Sequence, residues 1–141
     1  MILSTLFALE SMARTTASHM VIISDPHLLS PELVTPGKAI NSADQGDSKM
    51  VALSDDIMAD ITDSIIAIQP RLVLLTGDLT YNGERASHER MAQYLDRLAS
   101  HGIQPLVIPG NHDCNNPYAC RFDGDKTSPA ATVTREEFAQ I

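Results

Sequence analysis

Tryptophan is absent from the 141 residues, and all aromatic residues together make up only 4%. A stacking platform for single-stranded nucleic acid needs such side chains, so that class of function has little to work with. Basic residues are also scarce: ten Lys and Arg stand against eighteen Asp and Glu, a formal net charge of −8. A protein that grips a phosphate backbone directly normally shows a basic face, and no nucleic-acid surface is evident here. Two cysteines cannot make a disulfide framework. No apolar run approaches the roughly 18 residues needed to span a bilayer. What remains is 43% hydrophobic and 20% charged, enough to bury a sizeable core and exclude wholesale disorder. An acidic chain can still take an anionic ligand if it first binds metal cations, because the ion is then the largest local charge.

Residues 1–18 stand apart. The apolar stretch Ile2–Leu9 is short, is broken by Ser4 and Thr5, and stops at Glu10. No positive charge precedes it, as a secretory signal would require. The segment reads as an N-terminal extension or a degraded export signal. The expected compartment is cytoplasmic by default, exported if the segment is a signal remnant. The folded domain is expected to occupy residues 19–141.

Within it, three short apolar runs read as strands: 20–23, 72–75 and 105–108. Each is continuous rather than alternating, the pattern of parallel strands covered on both faces. Two helical patterns separate them. Met50, Leu53, Ile57, Ile61, Ile65 and Ile68 share one helix face, with Asp55, Asp56, Asp60 and Asp63 solvated away from its centre. Pro70 ends that helix by Gln69. The second runs from Glu84 to Ser100, burying Met91, Leu95 and Leu98 with Tyr94 beside them; Gly102 sits where a left-handed C′ residue belongs. The order is β-α-β-α-β, an α/β fold with right-handed crossovers on a mostly parallel sheet. Residues 30–48 read as a long polar loop, and such connections are more often functional than idle.

In open α/β sheets, ligands collect beyond the carboxyl ends of the strands. Ser24-Asp25-Pro26-His27 follows the first strand, Thr76-Gly77-Asp78-Leu79-Thr80 the second, and Pro109-Gly110-Asn111-His112-Asp113 the third. All three strand ends thus bring metal-ligating residue types to one edge. Carboxylate, imidazole and amide donors suit Mn, Fe, Zn or Mg, with no thiolate to demand zinc alone. Asp25 and His27 can both point into one site, and Asp78, with two oxygens, can bridge two ions.

These three motifs, D-x-H, G-D and G-N-H-D, each after a strand, resemble the N-terminal half of the calcineurin-like metallophosphoesterases. The likeness spans Asp25 to Asp113, and the stretch from Gly77 to Asp113 looks like a bacterial branch of that family. The resemblance implies a layered α/β sandwich and a dinuclear centre. Asp25 and His27 would bind the first metal, Asp78 would bridge both, and Asn111 would bind the second. His112 would act on the phosphoryl group, with Asp113 orienting its ring. Two such ions would acidify a water and clamp phosphoryl oxygens for hydrolysis of a phosphate mono- or diester. The substrate would be a small-molecule or macromolecular phosphate ester.

The family completes its site with further histidines from its C-terminal half, two of them in a G-H-x-H motif. The five histidines here are His19, His27, His88, His101 and His112, and none follows Asp113. Thr134-Arg135-Glu136-Glu137 has the form of a capping box that starts a helix, with Phe138 among its first buried residues. The expectation is therefore the N-terminal part of a metallophosphoesterase domain whose partner is its own missing C-terminal half. The alternative is an inactive fold fragment with at most weak metal binding. His88 and His101 read as structural, Cys114 and Cys120 as free thiols, and Asp123-Gly124-Asp125 as a surface turn.

Overall fold

The computed structural model describes residues 19–46 and 49–141; the extension or signal remnant at 1–18 lies outside the described residues. Three parallel strands form the main sheet: β1 (Met20–Ile23), β3 (Leu72–Thr76) and β4 (Gln104–Ile108), in the order β1-β3-β4. The register aligns Val21 with Val73 and Pro105, and Ile22 with Leu74 and Leu106. The helices α2 (Ser54–Ile68) and α3 (Arg85–Ser100) connect these strands, and their buried faces pack with Val73 and Leu75 in one core. The order β-α-β-α-β and the parallel sheet are as the sequence implies.

Coverage of both sheet faces is not. Side chains alternate along a strand, and those opposite Val73 and Leu75 stay open: Met20, Ile22, Leu106 and Ile108 are all exposed. The long apolar runs reflect two apolar faces, of which the described residues cover one.

Helix α2 also differs from its expected face. Ser54, Met58, Thr62 and Ile65 are buried, whereas Met50, Leu53, Ile57 and Ile68 are exposed. The helix is rotated toward small polar residues that satisfy themselves locally. Thr62 Oγ1 donates to the Met58 carbonyl at 2.8 Å, and Ser54 Oγ donates to the Val51 carbonyl while accepting from the Leu29 amide. A satisfied hydroxyl is cheap to bury and lets the helix lie close to the sheet. Nor is Asp55 merely solvated: it accepts from Arg90 and from Tyr94 Oη at 2.7 Å, tying α2 to α3. Burial first, then Asp55, pushes the Tyr94 pKa up to about 12. Helix α3 buries Met91 and Leu98 as expected, but Tyr94 is buried with them and Leu95 only partly so; Gly102 after it is left-handed (φ 76°).

The segment read as a polar loop is structured. It holds a 3-10 turn (Pro31–Leu33), β2 (Val34–Thr35) and α1 (Lys38–Gly46). Strand β2 pairs parallel with β5 (Cys120–Asp123), which pairs antiparallel with β6 (Lys126–Pro129). Leu29, Leu33, Ile40, Val51 and Phe122 make a second small core beneath them. Pro36 and Gly37 look like loop punctuation, but they start α1, where Gly37 lies directly against the Gly124 backbone. A short helix, α4 (Arg135–Phe138), begins with the expected capping box. Phe138 is partly buried, edge-on to the His88 ring. Cys114 and Cys120 form no disulfide.

Candidate active site

The three strand-end loops meet because their backbones continue the sheet beyond the strands. The Asp25 amide donates to the Gly77 carbonyl at 3.3 Å, His27 to Asp78 at 3.0 Å, and Leu28 to Leu79 at 3.0 Å. The third loop then closes on the second. Gly110 is needed there, because an added Cβ would stand 2.9 Å from Asp78 Cγ and closer still to its Oδ1 and backbone nitrogen. The His112 amide donates to Asp78 Oδ1 at 3.0 Å.

Among the described residues, five non-glycine residues have left-handed backbone, and three of them are Asp25 (φ 53°), His27 (φ 44°) and Asp78 (φ 45°). That conformation is unfavourable for side-chain-bearing residues and gathers at functional sites. It turns the three side chains together: one donor atom from each lies within 4.8 Å of the others. His27 Nε2 stands 3.8 Å from Asp78 Oδ2. That is too long for a hydrogen bond and fits two ligands of one ion with bonds of about 2.0–2.2 Å. The other His27 nitrogen, Nδ1, is buried without a full hydrogen bond among the described residues, although the Thr80 backbone favours the charged ring. Burial first, and then Lys49, lower the His27 pKa against the pull of Asp78. A neutral imidazole is the form a metal requires. The group fits a divalent cation. Asn111 is exposed on the third loop beside His112.

His112 completes the cluster. Its ring stands edge-on to that of His27, with centroids 5.0 Å apart. Its Nδ1 lies 2.8 Å from the Tyr81 carbonyl and 3.1 Å from Asn82 Oδ1. Both are acceptors, so Nδ1 carries the hydrogen and Nε2 is left for the site. Asp113 was expected to hold this ring, but in the structure Tyr81 and Asn82 do. The Asp113 carboxylate is fully buried and turned beneath the loops. It accepts from the amides of Leu79, Thr80 and Gly110 and from Thr80 Oγ1, at 2.7–3.0 Å. The turn sends the His112 ring toward the site and the Asp113 carboxylate inward.

His88 Nε2 donates to the Asp113 carbonyl at 2.8 Å, and His101 Nδ1 lies 2.8 Å from the Arg97 carbonyl; both have structural partners. A cleft of about 410 Å³ opens beside Asp25 and His27, walled by Lys49, Met50, Val51 and Ile57.

The family description "Calcineurin-like phosphoesterase" matches residues 18–138. The chain belongs to that family. Among curated calcineurin-like relatives, a 3',5'-cyclic-nucleotide phosphodiesterase (alr5338) of Nostoc sp. (strain PCC 7120 / SAG 25.82 / UTEX 2576) is 37% identical over 62 residues. The match covers 38% of this chain and 22% of that relative, so the chain spans well under two thirds of the relative's length. Among the described residues, no helix is long and apolar enough to cross a membrane.

Proposed function

We propose that the chain contributes one half of a dinuclear metal site that hydrolyses phosphate esters. The observation that carries this reading is the strained convergence of Asp25, His27 and Asp78 at one strand edge, with the His112 ring against it. The Nostoc relative is a phosphodiesterase by name, which supports a reading in which diesters come before monoesters. Asp25 and His27 would hold one ion, Asp78 would serve both, and Asn111 would hold the second. Bound divalent ions supply positive charge to phosphoryl oxygens and an acidified water nucleophile.

The chain's own groups do the rest. Asp78 is fixed by the His112 amide through Oδ1, leaving Oδ2 facing His27. His112, anchored at Nδ1, holds a phosphoryl oxygen or protonates the leaving oxygen from Nε2. Asp113 acts as the clasp that keeps the second and third loops in register, rather than as a group on the substrate. The charge offered to the phosphate thus comes from the site, not from a basic surface, which accommodates the net charge of −8.

Four donors cannot saturate two divalent ions that each take at least four ligands. In this reading the remaining donors would be histidines of a G-H-x-H segment, which these 141 residues do not contain. A longer version carrying that segment is expected to cleave bis(p-nitrophenyl) phosphate with Mn²⁺ at roughly 1 s⁻¹ or more, and the 141-residue chain far more slowly. Equal turnover by both would sink the half-site reading. Absence of turnover by the longer version would sink phosphoester hydrolysis itself.

A further inference from the structure

Glu84 precedes α3 and is fully buried, at 0% exposure. Carboxylates are almost never fully buried unless their charge is met. Here it is met by backbone. Oε2 accepts from the Asn82 amide at 2.9 Å and Oε1 from the Cys120 amide at 3.3 Å. Burial pushes its pKa up, and these N–H groups and His112 pull against that. Its side chain makes no helix cap, so ordinary capping does not explain it.

The turn it grips is the one that holds His112. Tyr81 and Asn82 supply both acceptors for His112 Nδ1. Gly83 follows with left-handed backbone (φ 74°), packed so closely that a Cβ would stand 2.9 Å from the carbonyl oxygens of His112 and Asp113. The Gly83 amide donates to Thr80 Oγ1 at 3.0 Å, and Thr132 Oγ1 donates to the Gly83 carbonyl at 2.9 Å. Asn116 Nδ2 reaches the His112 carbonyl at 3.1 Å and Asn82 Oδ1 at 3.4 Å. Among these bonds, only those accepted by Glu84 end on a carboxylate.

We propose that Glu84 is a positioning residue: its buried carboxylate fixes the Tyr81–Asn82 turn so that His112 is held as the Nδ1–H form with Nε2 facing the metal-ligand group. What Nε2 then does rests on the function proposed above; the positioning does not. The charge state matters because both carboxylate oxygens accept. A glutamine in the same place offers one acceptor and one NH₂, so one of the two amides would face a donor.

The test needs no turnover. The His112 ring is followed by ¹⁵N NMR at alkaline pH, where imidazole is neutral, together with amide exchange at Asn82 and Cys120. In the wild-type chain, His112 should show predominantly the Nδ1–H tautomer, and the Asn82 amide should be protected. In Glu84→Gln, the ring should become a mixture of tautomers, and Asn82 protection should fall roughly tenfold to a hundredfold, as expected for loss of a bond to a charged acceptor. Met91→Ala, which opens the core under α3 away from the turn, should lower Tm and leave the tautomer alone. An unchanged tautomer in Glu84→Gln, or an equal shift in Met91→Ala, overturns the proposal. If Glu84→Gln does not fold, the wild-type exchange and Asn82→Ala decide. An unprotected Asn82 amide, or a His112 ring indifferent to Asn82→Ala, also overturns it. Failure of the chain to take up Mn²⁺ would count against the functional reading and leave this result standing.

Discussion

Three glycine-to-alanine changes separate backbone strain from site geometry. At Gly46, the last residue of α1, an added Cβ meets no described residue within 4 Å and φ is not positive. The change should be neutral or gain about 0.5–1 kcal/mol, since alanine is the better helix former. At Gly102 there is also room, but φ is +76°; forcing a side chain into left-handed backbone costs about 1–2 kcal/mol. At Gly110 there is no room. The new Cβ would press on Asp78 from its side chain to its backbone nitrogen, which no rotamer change relieves. Overpacking of this kind costs about 1–3 kcal/mol. Parting the loops also weakens the bonds from Gly110 to Asp113 (2.7 Å) and from His112 to Asp78 (3.0 Å), each worth about 1.5–3 kcal/mol to a carboxylate. A loss of about 3 kcal/mol or more is expected at Gly110. Displacing the group that orients Asp78 should also cut Mn²⁺ affinity about 10–100-fold. Urea unfolding gives the stabilities and Mn²⁺ titration the affinities. Gly102→Ala should lose stability and keep its metal affinity; Gly110→Ala should lose both. If Gly110→Ala matches Gly46→Ala in both measurements, the close approach of the second and third loops is wrong.

His88 is buried and its pKa is lowered, chiefly by that burial. The unfolded chain therefore takes up this proton first, and stability should fall as pH drops through the ordinary histidine value of about 6.5, levelling below the folded pKa. His88→Gln should flatten part of that slope in urea titrations between neutral and mildly acidic pH, His27 supplying a similar remainder; an unchanged slope excludes His88. Cys120, with its pKa pushed up to about 11 by burial and then Glu84, should alkylate far more slowly than a free thiol near pH ~8; mass spectrometry of iodoacetamide adducts checks it. In a longer version carrying the remaining ligands, His112→Gln should keep its metal and lower kcat roughly 10²–10⁴-fold on alkyl esters and less on p-nitrophenyl esters. Metal loss with no leaving-group dependence would instead make His112 a ligand.

Much of the fold was legible because the strand runs, Pro70 and Gly102 are strong local signals. The candidate site was legible too, because Asp25, His27 and Asp78, which the structure gathers, and His112 beside them sit directly after strands. The α2 face was misread because an apolar tally cannot see that Thr62 and Ser54 satisfy their own hydroxyls. Helix α1 was hidden by Pro36 and Gly37, although Ala39, Ile40 and Ala43 carry the spacing of a helix face. The partners of His112 were missed because Tyr81 and Asn82 serve through a carbonyl and an amide oxygen, chemistry that any turn could offer. The role of Asp113 comes from the family resemblance, and only the turn geometry shows that its carboxylate points the other way.

Mn²⁺ binding to the 141-residue chain, followed by electron paramagnetic resonance in the wild type and in Asp78→Asn, tests the central claim most directly. Weak but specific uptake is expected of the wild type at the Asp25–His27–Asp78 group, and its loss in Asp78→Asn with the fold intact by circular dichroism. Uptake that survives Asp78→Asn undiminished, or a folded wild-type chain that takes up no Mn²⁺, would contradict it.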